Sequence, residues 1–452
     1  MKFNRNVGYF LTCLTLTITV NTAQAVDMAD VFATQKSVAR NATGYLQVDC
    51  AHPVSPLNLI DVVNTALCNN PQTTAAWANA QVAAAQLGSA QSAYLPSVNG
   101  TANLSRDHSA LTGLNTINRN VGLSLNYLLF DFGGRSAQRD AALATLDAAN
   151  RSQDQVVNTV YLAVVQAYYQ YFAAQAQTLA LLEAEKSAKL SLDAATARYQ
   201  AGTNTRVDML QAQTAYSQAQ LNRVRAEGDM RIAQGVLTNV MGMDADKRID
   251  IAPPNNDLAN KSLPNSVRDL ILLAQQQRPD LQAAAAQLRA TQAQVRVNES
   301  AGKPTLSLTG SVNHQDNGSI NGVGSSVGLA LNVPIFTGYN STYKIRAAQA
   351  QVLAQQAQQA QLTNQVALDV WRAWQTLATE TQALSASADL VTSALAAADM
   401  ALGRYRAGVG SILDTLNAQS ALASARSQQI QAQYNLRIAK VALAQAVGRL
   451  NE

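Results

Sequence analysis

Two short stretches decide the fold: RYQAG at residues 198–202 and RYRAG at residues 404–408, which begins 206 residues later. In both copies the glycine is followed six positions on by an aspartate, and then by Leu, Ala and Gln at matched spacing. Ala- and Gln-rich segments with helical spacing flank each copy, and a glycine after such a segment is where a helix ends and the chain reverses. Each copy is therefore predicted to be the tip of a helical hairpin, with tips at 199–208 and 405–414 and turns at Gly202 and Gly408.

The segments before the two tips are unusually free of helix-breaking residues. Arg135–Ala201 contains neither glycine nor proline, and Ser341–Ala407 contains only Gly403. Read as continuous helices of about 134–200 and 340–406, they would each be on the order of 100 Å long. Helices in globular proteins average about 11 to 12 residues. Such length is typical of a coiled coil, a solenoid or a tube walled by helices.

The duplication extends well beyond the tips. Pro279 and Pro304 follow Pro71 and Pro96 by 208 residues in each case, so whole units are repeated. An internal repeat outweighs a domain count based on length alone. The predicted organisation is a leader at 1–25, an irregular N-terminal segment at 26–56, a first repeat at 57–242, a linker at 243–264 and a second repeat at 265–450.

The composition excludes several classes of protein. Charged residues are 14% of the chain, against roughly 25% in ordinary soluble proteins, and the formal net charge is only +4. This balance does not favour nucleic-acid binding. Aromatic residues are 5%, which favours many thin helix contacts over one large core. We find no phosphate-binding loop, nucleophile elbow or paired-carboxylate motif, so neither an enzyme nor a cofactor is expected.

The N-terminus has the features of an export signal. Lys2 and Arg5 precede an apolar stretch, and small residues allow cleavage after Ala25. The alternative is a retained membrane anchor, although the stretch is short and rich in threonine. The cysteines beyond the leader are Cys50 and Cys68. An export compartment permits a disulfide between them, and two free buried thiols are the alternative.

The side-chain period changes from 3.6 to 2 in four stretches, at about 97–106, 119–130, 304–314 and 325–336. A soluble half-buried sheet would show the same alternation. However, the length fits a tilted strand that crosses a bilayer, and aromatic residues collect at one end of the strands, where a membrane interface favours them. The stretches are predicted to be transmembrane β-strands in contact with outer-membrane lipid.

Four strands alone cannot close a barrel, and open strand edges in lipid leave backbone groups without hydrogen bonds. The chain must therefore associate with copies of itself. Two copies give eight strands around an interior filled by side chains, whereas three give twelve and leave room for a channel. A homotrimer is the better prediction, because the lumen-facing residues are small.

The exported leader, the two tandem units and the RYxAG-x5-DxLxAQ motif at both tips resemble the TolC family of outer-membrane channel-tunnels, over about residues 57–450. The ALCNNP stretch at 66–71, the AYLP stretch at 93–96 and Cys50 are most similar to CyaE-type members, which serve type I secretion. The resemblance implies a mixed α and β membrane protein: a trimeric twelve-stranded β-barrel in the outer membrane, continued by a twelve-helix α-barrel across the periplasm. The N-terminal segment and the linker would form an equatorial belt.

The resemblance also implies partners and a gate. The partners are a periplasmic adaptor (membrane fusion) protein and an inner-membrane transporter, either ABC or proton-driven, and the exported protein or drug is the cargo. In the gate, Asp208 and Tyr405 match a hydrogen-bonded latch between helices of the tip. Asp414 matches a carboxylate of the periplasmic aperture, and Asn417 stands where a second aspartate is common. Gly410 replaces a latch arginine, for which Arg206 is the candidate substitute.

The aspartates have a second interpretation that depends on the residues alone. Three copies of Asp414 around an axis would form a ring of carboxylates that attracts cations. Yet aspartate is also favoured at the start of a helix, so both Asp208 and Asp414 could serve as helix caps. The two roles are compatible, and the sequence leaves both open.

The leading hypothesis is a passive exit duct for type I protein secretion. The cysteine pair and the absence of a lipidation motif around Cys13 favour it. The first alternative is the outer-membrane component of a multidrug efflux pump. The second is a non-transport periplasmic coiled-coil structural protein, in which the strands would form a soluble sheet.

Overall fold

A computed structural model describes residues 30–38, 42–43, 46–47, 56–108, 115–254, 266–318 and 321–448. The predicted leader with its cleavage position after Ala25, the thiol of Cys50 and linker residues 255–264 lie outside these ranges. Cys68 lies within them and is disulfide-bonded. Its pairing with Cys50 stays a prediction.

The N-terminal segment is not wholly irregular, which corrects the prediction for 26–56. It contains a 3-10 turn at Gln35–Ser37 and two antiparallel strands, β1 (Ala42–Thr43) and β2 (Leu46–Gln47). Strands of two residues are too short to produce a readable alternation. The sequence therefore carried no signal for these two strands.

The rest of the chain repeats one order of elements twice: two helices, two strands, a long helix and a shorter helix. The first set is α1 (Leu59–Asn69), α2 (Pro71–Ser92), β3 (Ser97–His108), β4 (Asn115–Phe130), α3 (Gly134–Gln200) and α4 (Arg206–Val240). The second set is α5 (Val267–Gln277), α6 (Pro279–Ser300), β5 (Thr305–Asp316), β6 (Asn321–Asn332), α7 (Asn340–Arg406) and α8 (Ile412–Val447). Both α3 and α7 are uninterrupted helices of 67 residues.

Local chemistry explains where these helices begin. Asn58 caps α1 in a reciprocal capping box with Asp61. Pro71 and Pro279 occupy the first turns of α2 and α6, where a backbone N–H would have no partner within the helix. The linker is tied back to the first repeat, because the N–H of Leu57 donates to the Asp250 carbonyl over 3.0 Å.

The four long strands form one antiparallel sheet in the order β3-β4-β5-β6, so the pairing of β4 with β5 joins the two repeats. β3 and β4 are longer than predicted at the ends that face their connecting loop, since β3 reaches His108 and β4 begins at Asn115. The strand predicted at 325–336 instead runs over Asn321–Asn332. It stops before Pro334, whose lack of an N–H prevents it from continuing a ladder.

Apolar side chains of this sheet stay exposed in the single chain. Val327 is 84% exposed and Leu329 is 68% exposed, and every residue of β6 is exposed. β3 and β6 form the two edges of the sheet. In the described part of the chain, no helix is both long and apolar enough to span a membrane.

The largest buried cluster lies at the middle of α3, far from both the sheet and the tips. There Val164, Tyr168 and Tyr169 pack against Val62 and Ala66 of α1 and against Leu237 near the end of α4. A smaller cluster joins α5 to the middle of α7 and the end of α8. The short helices α1 and α5 therefore pack against the middle of the long helices α3 and α7, and the tips of the hairpins extend beyond them.

Candidate functional site at the paired helix tips

The two tips are built from the same helix-ending turn. Gly202 and Gly408 have φ of +74° and +78°, the left-handed region that glycine enters without a steric penalty. The N–H of Gly202 donates to the Tyr199 carbonyl over 3.0 Å, and that of Gly408 to the Tyr405 carbonyl over 3.1 Å. A second bond in each turn reaches back to the arginine carbonyl, as in a Schellman motif. The repeated glycines therefore reverse the chain identically in both hairpins.

At the first tip, Asp208 stabilises the start of α4. Its carboxylate accepts from the Thr205 N–H over 3.2 Å, while the Thr205 hydroxyl accepts from the Asp208 N–H over 3.3 Å. This is a reciprocal capping box, which satisfies two backbone donors that would otherwise have no partner. The capping interpretation of Asp208 therefore describes its contacts in the chain.

At the second tip, the matched aspartate makes no such bond. The cap of α8 is Ser411, whose hydroxyl accepts from the Leu413 N–H over 3.1 Å. The Asp414 carboxylate is exposed and has no hydrogen bond or ion pair to any other described residue. Asn417, one helical turn further, is exposed on the same face of the helix. Ser411 and not Asp414 therefore caps α8.

Between the two tips lies a small buried cluster centred on Tyr405. This side chain is 3% exposed and packs with Ala195, Ala212, Ile412 and Leu416, which belong to both hairpins. At the tips, this cluster joins the first hairpin to the second.

The predicted bond between Asp208 and Tyr405 is not present, and other groups of the first hairpin hold the tyrosine. Asn204 donates through Nδ2 to the Tyr405 hydroxyl over 3.4 Å. The Arg198 guanidinium lies 4.4 Å from the centre of the Tyr405 ring and donates to the Arg406 carbonyl over 3.1 Å. The tip is therefore joined by an amide and an arginine. Arg198 belongs to the repeated motif, although the motif does not reveal what the arginine contacts. Asn204 had no distinguishing signal, because polar residues are common in turns.

The electrostatics of the cluster favour a neutral tyrosine. Burial is the largest cause that raises the pKa of Tyr405 above its ordinary value of 10.0, and the nearby Asp208 carboxylate raises it further. Arg198 and the hydrogen bond from Asn204 act in the opposite direction, because they stabilise the phenolate. Asp208 thus lies close enough to Tyr405 to affect its ionisation without bonding to it.

Two other predicted latch positions behave differently from each other. Arg206 is exposed, and its side chain makes no hydrogen bond, ion pair or ring contact with the other residues that the structure describes. Gly410 is packed tightly: a Cβ added there would lie 2.9 Å from the Arg404 Cβ and 3.0 Å from the Tyr405 nitrogen. Real Cβ atoms do not approach this closely, so the tip has no room for an arginine at this position.

Further from the tips, polar contacts continue the junction between the hairpins. Ser191 of α3 bonds to Gln419 of α8 over 3.1 Å, and Gln177 donates to Ser427 over 2.6 Å. These pairs could not be predicted from the sequence, because Ala, Gln and Ser recur throughout both helices. Among the described residues, no group of three or more His, Cys, Asp or Glu is placed to hold a metal ion.

Comparisons with known proteins identify the relatives of this chain. A family profile described as "Outer membrane efflux protein" matches residues 62–243 and 270–449. Protein CyaE of Bordetella pertussis is 33% identical over 439 residues, which cover 93% of this chain and 91% of CyaE. The outer membrane efflux protein BepC of Brucella suis is 29% identical over 390 residues, 84% of this chain and 83% of BepC.

A solved structure shares the fold. The crystal structure of the Campylobacter jejuni CmeC outer membrane channel matches with a TM-score of 0.78 at 23% identity, over 87% of both chains. Both repeats therefore have counterparts in a known channel.

Proposed function

Because the chain belongs to the outer membrane efflux protein family, we propose that three copies of it form the exit duct of a type I protein secretion system. Membership confirms the resemblance to TolC-type channels, the fold class and the outer-membrane location with a periplasm-spanning part. The protein is a channel component of tripartite export systems and not an enzyme. The number of copies, the cargo and the partners belong to the proposal.

The open sheet is the observation that carries the proposal of a trimer. A sheet with free edges at β3 and β6 cannot remain in lipid, because its unpaired N–H and C=O groups would each cost several kcal/mol. Pairing β6 of one copy with β3 of the next satisfies both edges. Three copies supply twelve strands, enough to enclose a channel.

The same assembly turns the exposed carboxylate of the second tip into a ring. Each copy contributes one Asp414 and one Asn417, both exposed in the first turns of α8. Three carboxylates at one constriction favour cations and repel anions. We propose that this ring is the periplasmic aperture, and that adaptor and transporter act on the tips around it.

Similarity to CyaE over nearly the whole chain supports secretion, together with the CyaE-type stretches at 66–71 and 93–96. Drug efflux remains the second candidate, since BepC is described as an efflux protein. Family membership removes the third, a structural protein without a transport role.

The partner decides between secretion and efflux. Crosslinking in whole cells, followed by purification of this chain, should recover an ABC transporter with a periplasmic adaptor. Recovery of a proton-driven pump in its place would refute secretion and establish efflux. Reconstitution of the purified oligomer in a planar bilayer tests the channel itself, since a protein that conducts no ions under any condition would contradict both.

A further inference from the structure

Matched residues of the two hairpins differ sharply in exposure. Tyr405 is 3% exposed, whereas Tyr199, its counterpart in the first tip, is 41% exposed. Leu416 is 9% exposed, whereas its counterpart Leu210 is 49% exposed. The hairpins share their sequence and turn geometry, so a missing neighbour and not a different fold accounts for the difference.

The covered tyrosine identifies that neighbour. Tyr405 is held by the face of the first hairpin that carries Arg198, with the guanidinium over its ring. On the second hairpin the matching residue is Arg404, whose side chain is exposed and makes no hydrogen bond, ion pair or ring contact with other described residues. The chain thus presents one uncovered tyrosine face, on its first hairpin, and one uncovered arginine face, on its second.

We propose that these two faces meet between copies of the chain, with Arg404 of one copy stacked over Tyr199 of the next. The contact inside the chain shows that such faces fit each other. Tyr199 and Arg404 are both exposed in the single chain. Pairing of the free sheet edges between copies places the first hairpin of one copy beside the second hairpin of the next, so the occupant that we propose for each face is a second copy. This inference rests on the proposed oligomer and adds the residues that join its tips.

Two of the residues around the buried tyrosine are replaced in the junction between copies. Gly410 stands where Asn204 stands, so the Tyr199 hydroxyl receives no amide bond. Arg206 stands where Ile412 is buried at 2% exposure, so a charged side chain replaces an apolar one. Both changes weaken the junction, and the tips should separate between copies before they separate within a copy.

A paired cysteine experiment tests the junction. The full chain carrying Tyr199→Cys and Arg404→Cys is treated in native outer membranes with a short bis-maleimide and analysed under denaturing conditions. We expect covalent dimers and trimers. The matched control carries Arg198→Cys and Tyr405→Cys, the equivalent pair within one copy, and should give a crosslinked monomer of altered mobility.

Single-cysteine variants and the unaltered chain measure background from chance encounters and native thiols. Co-expression of two chains, one with only Tyr199→Cys and one with only Arg404→Cys, should still yield mixed dimers. An oligomer in which the control pair links but the 199/404 pair does not would overturn the junction alone. A wild-type chain that sediments as a monomer in detergent would overturn the junction and the proposed duct together.

Discussion

The first tip and the second tip share their sequence motif, their turn and their φ angles, yet their side chains have different tasks. Asp208 closes a capping box and lies beside a buried tyrosine, whereas Asp414 has no partner in the described chain. Tyr405 is buried and Tyr199 is exposed. Duplication has therefore preserved the backbone, which depends on local sequence, while the neighbours of each hairpin have determined what the same residue does.

The largest expected effect separates the two aspartates. Asp414→Ala should reduce the preference of the channel for cations and weaken block by multivalent cations added on the tip side, because it removes the carboxylate ring. Reversal potentials and block in planar bilayers measure this.

Asp208→Ala is the matched control for this aspartate. It removes the carboxylate that accepts from the Thr205 N–H, while the Thr205 hydroxyl still caps α4. The free energy of unfolding should fall by about 1 kcal/mol, with selectivity unchanged. If both variants altered selectivity equally, the distinction between the tips would fail.

A second test concerns the tight packing at the second tip. Gly410→Ala should disturb the end of α7 by overpacking, at a cost of roughly 1–3 kcal/mol, because the new Cβ meets the Arg404 backbone. We expect less crosslinking of the 199/404 cysteine pair and a more open channel. Asn204→Ala at the equivalent position of the first tip adds no atoms and should leave that crosslink intact.

The two tips also show what a single sequence can reveal. Glycine and proline positions, together with the change of period, predicted the long helices at about 134–200 and 340–406, which agree with α3 and α7. These features are local, and backbone conformation follows local chemistry. The four strands were found for the same reason, although their ends were displaced by up to four residues.

Only some of the contacts of the candidate site could be predicted from the sequence. The motif identified Tyr405 but not the group bonded to it within the chain, which is the Asn204 amide and not the Asp208 carboxylate. Nor could it distinguish Tyr405 from Tyr199, because burial depends on which hairpin lies alongside. Burial of a tip tyrosine depends on residues far away in the sequence, so two copies of the same motif cannot show which tyrosine is buried.

A smaller effect compares the two tyrosines. Tyr405→Phe removes the acceptor of the Asn204 amide and leaves that donor unpaired. The free energy of unfolding should fall by about 1 kcal/mol. Tyr199→Phe should cost less, since Gly410 offers its hydroxyl no amide. Single-channel conductance should therefore rise more in Tyr405→Phe than in Tyr199→Phe. Equal responses would mean that the two junctions hold the closed tip equally.

The smallest expected effect is a response to alkaline pH. The tip cluster raises the pKa of Tyr405 above 10.0, chiefly through burial and further through Asp208, so the assembled cluster favours the neutral phenol. The stabilisation is therefore complete below pH 10 and is lost as the pH rises through the raised pKa. Conductance of the wild type should increase in this range, and Tyr199→Phe should retain the increase. Tyr405→Phe should lack it, because phenylalanine has no group to ionise; an undiminished alkaline response in that variant would assign the titration to another residue.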